Sequence, residues 1–83
     1  MPNSTALIVD DERDIRELLN MTLTRLGLKV ECAQNVQEAK EILAQRPFDL
    51  CLTDMRLPDG NGIELIGYVT EHYHNMPIAM ITA

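Results

Sequence analysis

Three aspartates stand where carboxylates could do chemistry. Leu7-Ile8-Val9 runs into Asp10-Asp11, and Leu50-Cys51-Leu52-Thr53 runs into Asp54. If the two apolar runs are neighbouring parallel strands, about 5 Å apart, the three carboxylates converge at the carboxyl edge of one sheet. Charges placed so closely repel one another unless a cation sits among them. Mg²⁺ suits such a site, because it takes one or two carboxylates plus phosphate oxygens and keeps several waters. With Asp10 and Asp11 on the metal, Asp54 is free to act as a nucleophile toward a phosphoryl group, a role aspartate is known to fill. The metal neutralises charge on the transferring group. Thr82 offers a hydroxyl to a phosphoryl oxygen, although a Thr at a strand end is commonly only a β-former. The plainer reading makes Asp10 and Asp11 helix caps and Asp54 the opening of a loop. It accounts for less, since a helix needs one cap and no helix follows Asp54 for several residues.

These side chains have to be carried by regular elements, and the apolar periodicity supplies them. Thr5 to Val9 reads as a short buried strand. Ile15, Leu18, Leu19, Thr22, Leu23 and Leu26 then recur on one helical face. Asp11, Glu12 and Asp14 fall at the start of that helix, where its dipole favours negative charge, and Gly27 stops it. Lys29 to Ala33 is a weaker strand. Asn35 with Glu38 resembles a capping box, and Val36, Ala39, Ile42 and Leu43 form a second helical stripe that ends before Pro47. Asp49 to Thr53 is the next buried strand. Pro58-Asp59-Gly60-Asn61-Gly62 is turn chemistry. A third helix runs from Ile63 to roughly Tyr73, with Ile66, Val69 and Tyr73 on one face, and Ile78 to Thr82 is a last strand. This β-α-β-α-β-α-β alternation predicts an α/β fold: a parallel sheet with helices on both faces. Ligands bind such sheets beyond the carboxyl ends of the strands, where Asp10, Asp11, Asp54 and Thr82 all fall.

Composition narrows the partners. The chain has 83 residues, enough for one domain at most. The hydrophobic fraction of 46% supports a core. With only Phe48, Tyr68 and Tyr73 as aromatics, that core must be aliphatic. A net charge of −6, with Lys29 and Lys40 the only lysines, argues against non-specific binding to nucleic acid or an anionic membrane. Cys32 and Cys51 are widely spaced, so a disulfide framework is not expected and a reduced cytoplasm fits better. No apolar run reaches the roughly 18 residues of a membrane span, and Met1-Pro2-Asn3-Ser4-Thr5 lacks a basic signal-peptide region. His72-x-His74 has the spacing of a transition-metal pair, although two His near a helix end are usually solvated. Asp59-Gly60-Asn61-Gly62 lacks the further acidic ligands of an EF-hand loop. No Walker A or dinucleotide motif occurs.

Three motifs at this spacing carry a resemblance. Leu7-Ile8-Val9-Asp10-Asp11-Glu12, Leu52-Thr53-Asp54-Met55-Arg56-Leu57-Pro58-Asp59-Gly60-Asn61-Gly62 and Pro77-Ile78-Ala79-Met80-Ile81-Thr82-Ala83 look like the receiver domain of bacterial two-component response regulators, of the NtrC class. The resemblance covers the whole chain in order. It implies a flavodoxin-like, doubly wound parallel sheet with strand order 2-1-3-4. It implies that Asp54 is the phosphoacceptor, that Asp10 (more loosely) and Asp11 are the acidic pair on Mg²⁺, and that Arg56 stands where a backbone carbonyl completes the metal shell. Thr82 matches the switch hydroxyl, and Pro58 and Gly62 match the loop that shapes the pocket. The implied partner is a sensor histidine kinase, and the implied output is sigma-54-dependent transcription run by an adjoining ATPase and DNA-binding machinery that this chain does not itself contain.

One departure is large. The resemblance calls for a fourth helix, a fifth strand and a fifth helix, with an essential lysine after the fifth strand. Lys29 and Lys40 precede Asp54 and cannot fill that role. The expectation is therefore a partial receiver domain over residues 1–83, impaired by loss of the lysine. Its last strand would form an open edge and its exposed apolar surface would favour self-association. Two rivals stand beside this reading. One is a receiver-like interaction module that accepts no phosphate. The other is an aspartate-nucleophile phosphohydrolase of the haloacid dehalogenase type, which would want a second aspartate where this chain has Arg56.

Overall fold

The four apolar runs pair side by side in parallel. In the computed structural model, which describes residues 4–81, β1 (Thr5–Val9), β2 (Lys29–Ala33), β3 (Leu50–Asp54) and β6 (Ile78–Ile81) form one sheet in the order β2-β1-β3-β6. Between them run α1 (Arg13–Arg25), α2 (Val36–Gln45) and α3 (Gly62–His72). The expected order and alternation are both present. The region read only as a turn after Asp54 holds a small antiparallel hairpin, β4 (Arg56–Leu57) and β5 (Gly60–Asn61), closed by Pro58 and Asp59. The expected final residue of β6, Thr82, lies outside the described residues.

The sheet divides two unequal layers. Side chains alternate across a strand, so Leu7, Val9 and Cys51 share one face. There they join Val36, Ala39 and Leu43 of α2 and Leu65 and Val69 of α3 in a single aliphatic core, with Phe48 and Leu57 at its margins. Ala6 and Ile8 point the other way and are fully buried, on the side where α1 packs over β1 and β2. Each fully buried Leu, Ile or Val in this core contributes about 1.5–3 kcal/mol by leaving water.

Local chemistry accounts for the helix ends. Asn35 caps α2, its side-chain oxygen accepting the Glu38 N–H at 2.7 Å, while the Glu38 carboxylate accepts the Gln34 N–H at 2.7 Å. Asn61 caps α3 in the same way through the Glu64 N–H at 2.8 Å. α1 ends in a Schellman motif: the Leu28 N–H reaches the Leu23 carbonyl and the Gly27 N–H reaches the Thr24 carbonyl. Gly27 takes φ +94°, the left-handed conformation this motif requires and a side chain resists.

Two helical faces differ from expectation. On α3 the buried positions are Leu65 and Val69, four apart, and Ile66 is only half-buried. The helix begins at Gly62, itself buried, and Tyr68 and Tyr73 pack against the core beside Leu65 and Val69. α1 buries none of its side chains completely. Ile15, Leu19 and Leu23 are half-buried, whereas Leu18 is 58% exposed and Leu26, which caps the helix, is 71% exposed. A single helix over this face leaves one flank of its stripe uncovered.

Candidate acidic site

Strand register builds the site. Val9 pairs with Thr53 in the parallel β1–β3 ladder, and Asp54 pairs with Ile81 across β3–β6. Asp10 and Asp54 therefore leave adjacent strand ends together. Carboxylate oxygens of Asp10, Asp11 and Asp54 all lie within 4.8 Å of one another. Among the described residues, no Lys or Arg side chain forms an ion pair with any of the three.

The three carboxylates are not equivalent. Asp10 is only 3% exposed. Its Oδ1 accepts the Glu12 N–H at 2.8 Å, its own N–H donates to the Ala33 carbonyl at 3.0 Å, and its carbonyl accepts the Arg16 guanidinium at 2.8 Å. Burial pushes the Asp10 carboxyl above its ordinary range; the Glu12 N–H opposes this, the neighbouring charges of Asp54 and Asp11 add to it, and Arg16 opposes it. Asp11 is exposed and Asp54 half-buried. The Asp54 Oδ1 accepts the following Met55 N–H at 2.8 Å. That leaves Oδ2 without a protein donor among the described residues.

Asp11, Glu12 and Asp54 form one wall of an open cleft of about 840 Å³, and Met55, Arg56, Leu57 and Pro58 form the other. Three hard oxygen donors in mutual reach, one partly desolvated and none neutralised by a side-chain cation, match the demands of a hard divalent ion. The far wall depends on Gly62, whose N–H donates to the Met55 carbonyl at 2.8 Å. A Cβ on Gly62 would strike the Asp54 backbone carbonyl, so the close return of the chain past Asp54 requires glycine here.

The structure brings Asp10, Asp11 and Asp54 together and places Arg56 and Pro58 on the cleft. Thr82 lies outside the described residues, directly after Ile81. The His72 ring is engaged locally: its Nδ1 lies 2.9 Å from the Tyr68 carbonyl, and the ring stacks on Tyr68 at 4.3 Å. Lys40 pairs with Glu64 at 3.9 Å and sits over the Tyr68 ring, away from the acidic cluster. Two residues escaped the sequence reading. Arg16 carried a faint signal, a cation one turn into α1 within its apolar stripe. Asp59 was read only as part of the turn, and its contact with α2 carried no signal, because its partners are more than twenty residues away.

Comparison with known proteins agrees with this geometry. A profile described as the response regulator receiver domain matches residues 6–83. The chain is 59% identical over 83 residues to the response regulator protein PilR of Pseudomonas aeruginosa, covering all of this chain and 19% of that protein. It is 40% identical over 85 residues to the phosphate regulon transcriptional regulatory protein PhoB of the same organism, covering 37% of it. The chain thus spans well under half the length of these curated relatives. Among solved structures, the response regulator TrrA from Thermotoga maritima in complex with Mg²⁺-BeF superposes with a TM-score of 0.92 at 32% identity, covering 96% of this chain and 70% of that one. The non-phosphorylated HemR receiver domain from Leptospira biflexa gives 0.89 at 32% identity, covering 98% and 65%.

Proposed function

The chain belongs to the response regulator receiver family, and from that premise we propose that it accepts a phosphoryl group on Asp54 from the phosphohistidine of a sensor kinase. In the transfer the P–N bond to the donor histidine breaks and a P–O bond to Asp54 Oδ2 forms, giving an acyl phosphate. The observation that carries this reading is the convergence of the Asp10, Asp11 and Asp54 carboxylates within 4.8 Å at the mouth of the cleft. Three carboxylates this close repel one another, which a bound divalent cation would relieve.

Receiver domains bind Mg²⁺ at an acidic pocket of this kind. Here the donor set fits: Asp10, Asp11 and an Asp54 oxygen would hold the ion, with the Arg56 backbone carbonyl completing the shell. When bound, Mg²⁺ screens the charge on the incoming phosphoryl oxygens. The protein's own contribution is positional. The Glu12 N–H and the Arg16 guanidinium hold Asp10 in place, the Met55 N–H orients the Asp54 carboxylate, and Gly62 keeps the far wall close. Thr82 would turn its hydroxyl toward a phosphoryl oxygen.

In this reading the chain is a phosphoacceptor module of 1–83 within a regulator whose output is sigma-54-dependent transcription, the output that the NtrC-class resemblance of its motifs implies. The exposed Leu18, Met21 and Leu26 and the outer edge of β6 support self-association of this chain when it stands alone, which sedimentation at high concentration would test. Among the described residues no helix is long and apolar enough to cross a membrane.

The deciding experiment is incubation with Mg²⁺ and a small phosphodonor, followed by intact mass. Uptake of one phosphoryl group, lost in Asp54→Asn, is expected. No uptake by this chain, with uptake by a longer chain carrying the lysine the resemblance calls for, would assign the loss to that lysine; no uptake by either would leave the non-phosphorylated interaction module as the surviving reading.

A further inference from the structure

Asp59 lies at the tip of the β4–β5 hairpin, and its two carboxylate oxygens accept consecutive backbone N–H groups at the start of α2. Val36 donates to Oδ1 at 2.8 Å and Gln37 to Oδ2 at 2.9 Å. The helix does not depend on this contact for its own cap, because Asn35 already accepts the Glu38 N–H. Gln37 is exposed, so water could serve its N–H, whereas Val36 is buried and Asp59 supplies its N–H with an acceptor as well. What the contact accomplishes is a tie between segments 22 and 23 residues apart.

The hairpin is fastened at three points. At its base the Gly62 N–H holds the Met55 carbonyl. Midway, Leu57 enters the core alongside Val36. At its tip Asp59 grips α2. The residues between base and tip, Met55 to Pro58, are the far wall of the acidic cleft. Releasing the tip leaves that wall held by its base and by Leu57, with the Pro58–Asp59 end free to shift.

Resting on the phosphoacceptor reading above, we propose that Asp59 is a positioning residue. Its bidentate grip on the α2 N-terminus holds the Met55–Pro58 wall, with the Arg56 backbone, at the setting a divalent cation on Asp11 and Asp54 requires, and so couples α2 to occupancy of the site.

The test compares Asp59→Ala, Asp59→Asn and Asn35→Ala in the full chain, reading Mg²⁺ affinity by calorimetry, amide hydrogen exchange at Val36 and Gln37, and Tm. Asp59→Ala is expected to weaken Mg²⁺ binding by up to about tenfold, no more than loss of a group bonded directly to a ligand costs at its mildest, and to speed exchange at both amides. Asp59→Asn keeps one acceptor oxygen and should fall between Ala and wild type, whereas a long-range charge effect would make Asn and Ala alike. Asn35→Ala removes the helix's own cap and should lower Tm while leaving Mg²⁺ affinity unchanged. Unchanged affinity in Asp59→Ala, equal losses in Asp59→Ala and Asp59→Asn, or an equal loss in Asn35→Ala at matched Tm would each overturn the proposal. A wild-type chain that binds no Mg²⁺ would instead overturn the phosphoacceptor reading on which it rests.

Discussion

The Arg16 guanidinium donates to the Asp10 backbone carbonyl at 2.8 Å, fastening the second turn of α1 to the end of β1. The contact places a fixed positive charge behind the acidic cluster without cancelling it, since Arg16 meets the main chain rather than a carboxylate. It also satisfies a carbonyl at the strand end beneath a nearly buried aspartate.

Arg16→Ala should therefore destabilise the metal-free chain by about 1.5 kcal/mol, the lower end for a hydrogen bond to a charged group, because Arg16 is half-exposed. Arg16→Lys should recover only part of this, since an ammonium on a flexible stem lacks the guanidinium's fixed fork. Urea denaturation without Mg²⁺ measures both.

Metal and pH should act on the same carboxylates in opposite senses. Burial and the adjacent acids raise the Asp10 carboxyl in the fold. The folded chain then holds that proton to higher pH than the unfolded chain does, so stability declines as pH rises from about 4, the ordinary aspartate value, through the raised one. Mg²⁺ at a hundred times its Kd should restore about 2.7 kcal/mol at neutral pH and progressively less toward pH 4, where protons displace it. Thermal unfolding with Mg²⁺ and with a chelator tests this, and Asp10→Asn should flatten the metal-free slope.

The same substitution at two glycines of α3 should have opposite signs. Gly62→Ala drives a methyl group into the Asp54 carbonyl and should cost about 1–3 kcal/mol, as overpacking does, with phosphoryl uptake impaired as well. At Gly67 a Cβ meets nothing within 4 Å, so Gly67→Ala should stabilise by about 0.5–1 kcal/mol through helix propensity and leave uptake unchanged. Paired unfolding curves decide the matter.

The two thiols should separate cleanly. Cys51 is fully buried, and burial pushes its thiol up to about 12. The Cys32 thiol, on the edge strand β2, is also raised by burial, but this residue is only partly shielded from solvent. At about pH 8 a thiol reagent should label Cys32 first and reach Cys51 only as fast as the chain unfolds. Labelling of Cys51 at the rate of an exposed thiol would contradict the buried assignment.

Much of the architecture was legible because its signals are local. Strand runs, the α1 stop at Gly27 and the Asn35 cap each depend on neighbours within a few residues. The α3 face was legible in part: Val69 is buried and Tyr73 packs on the core as expected, but Leu65 rather than Ile66 is the fully buried position, and two adjacent apolar residues give no local sign of which turns inward. The hairpin itself was read as a bare turn, because two-residue strands leave no periodicity to detect.

The sequence alone determined the alternation of elements, the placement of Asp10, Asp11 and Asp54 at strand ends and, through motif resemblance, the family. All of these follow from residue order and short-range pattern. Only the tertiary structure decided that Asp10 sinks to near-complete burial while Asp11 and Asp54 face the cleft, that Arg16 backs the site, and that Asp59 reaches α2. Those facts depend on strand register and on contacts between segments distant in the chain, where a hydrogen bond leaves no trace in the spacing of residues.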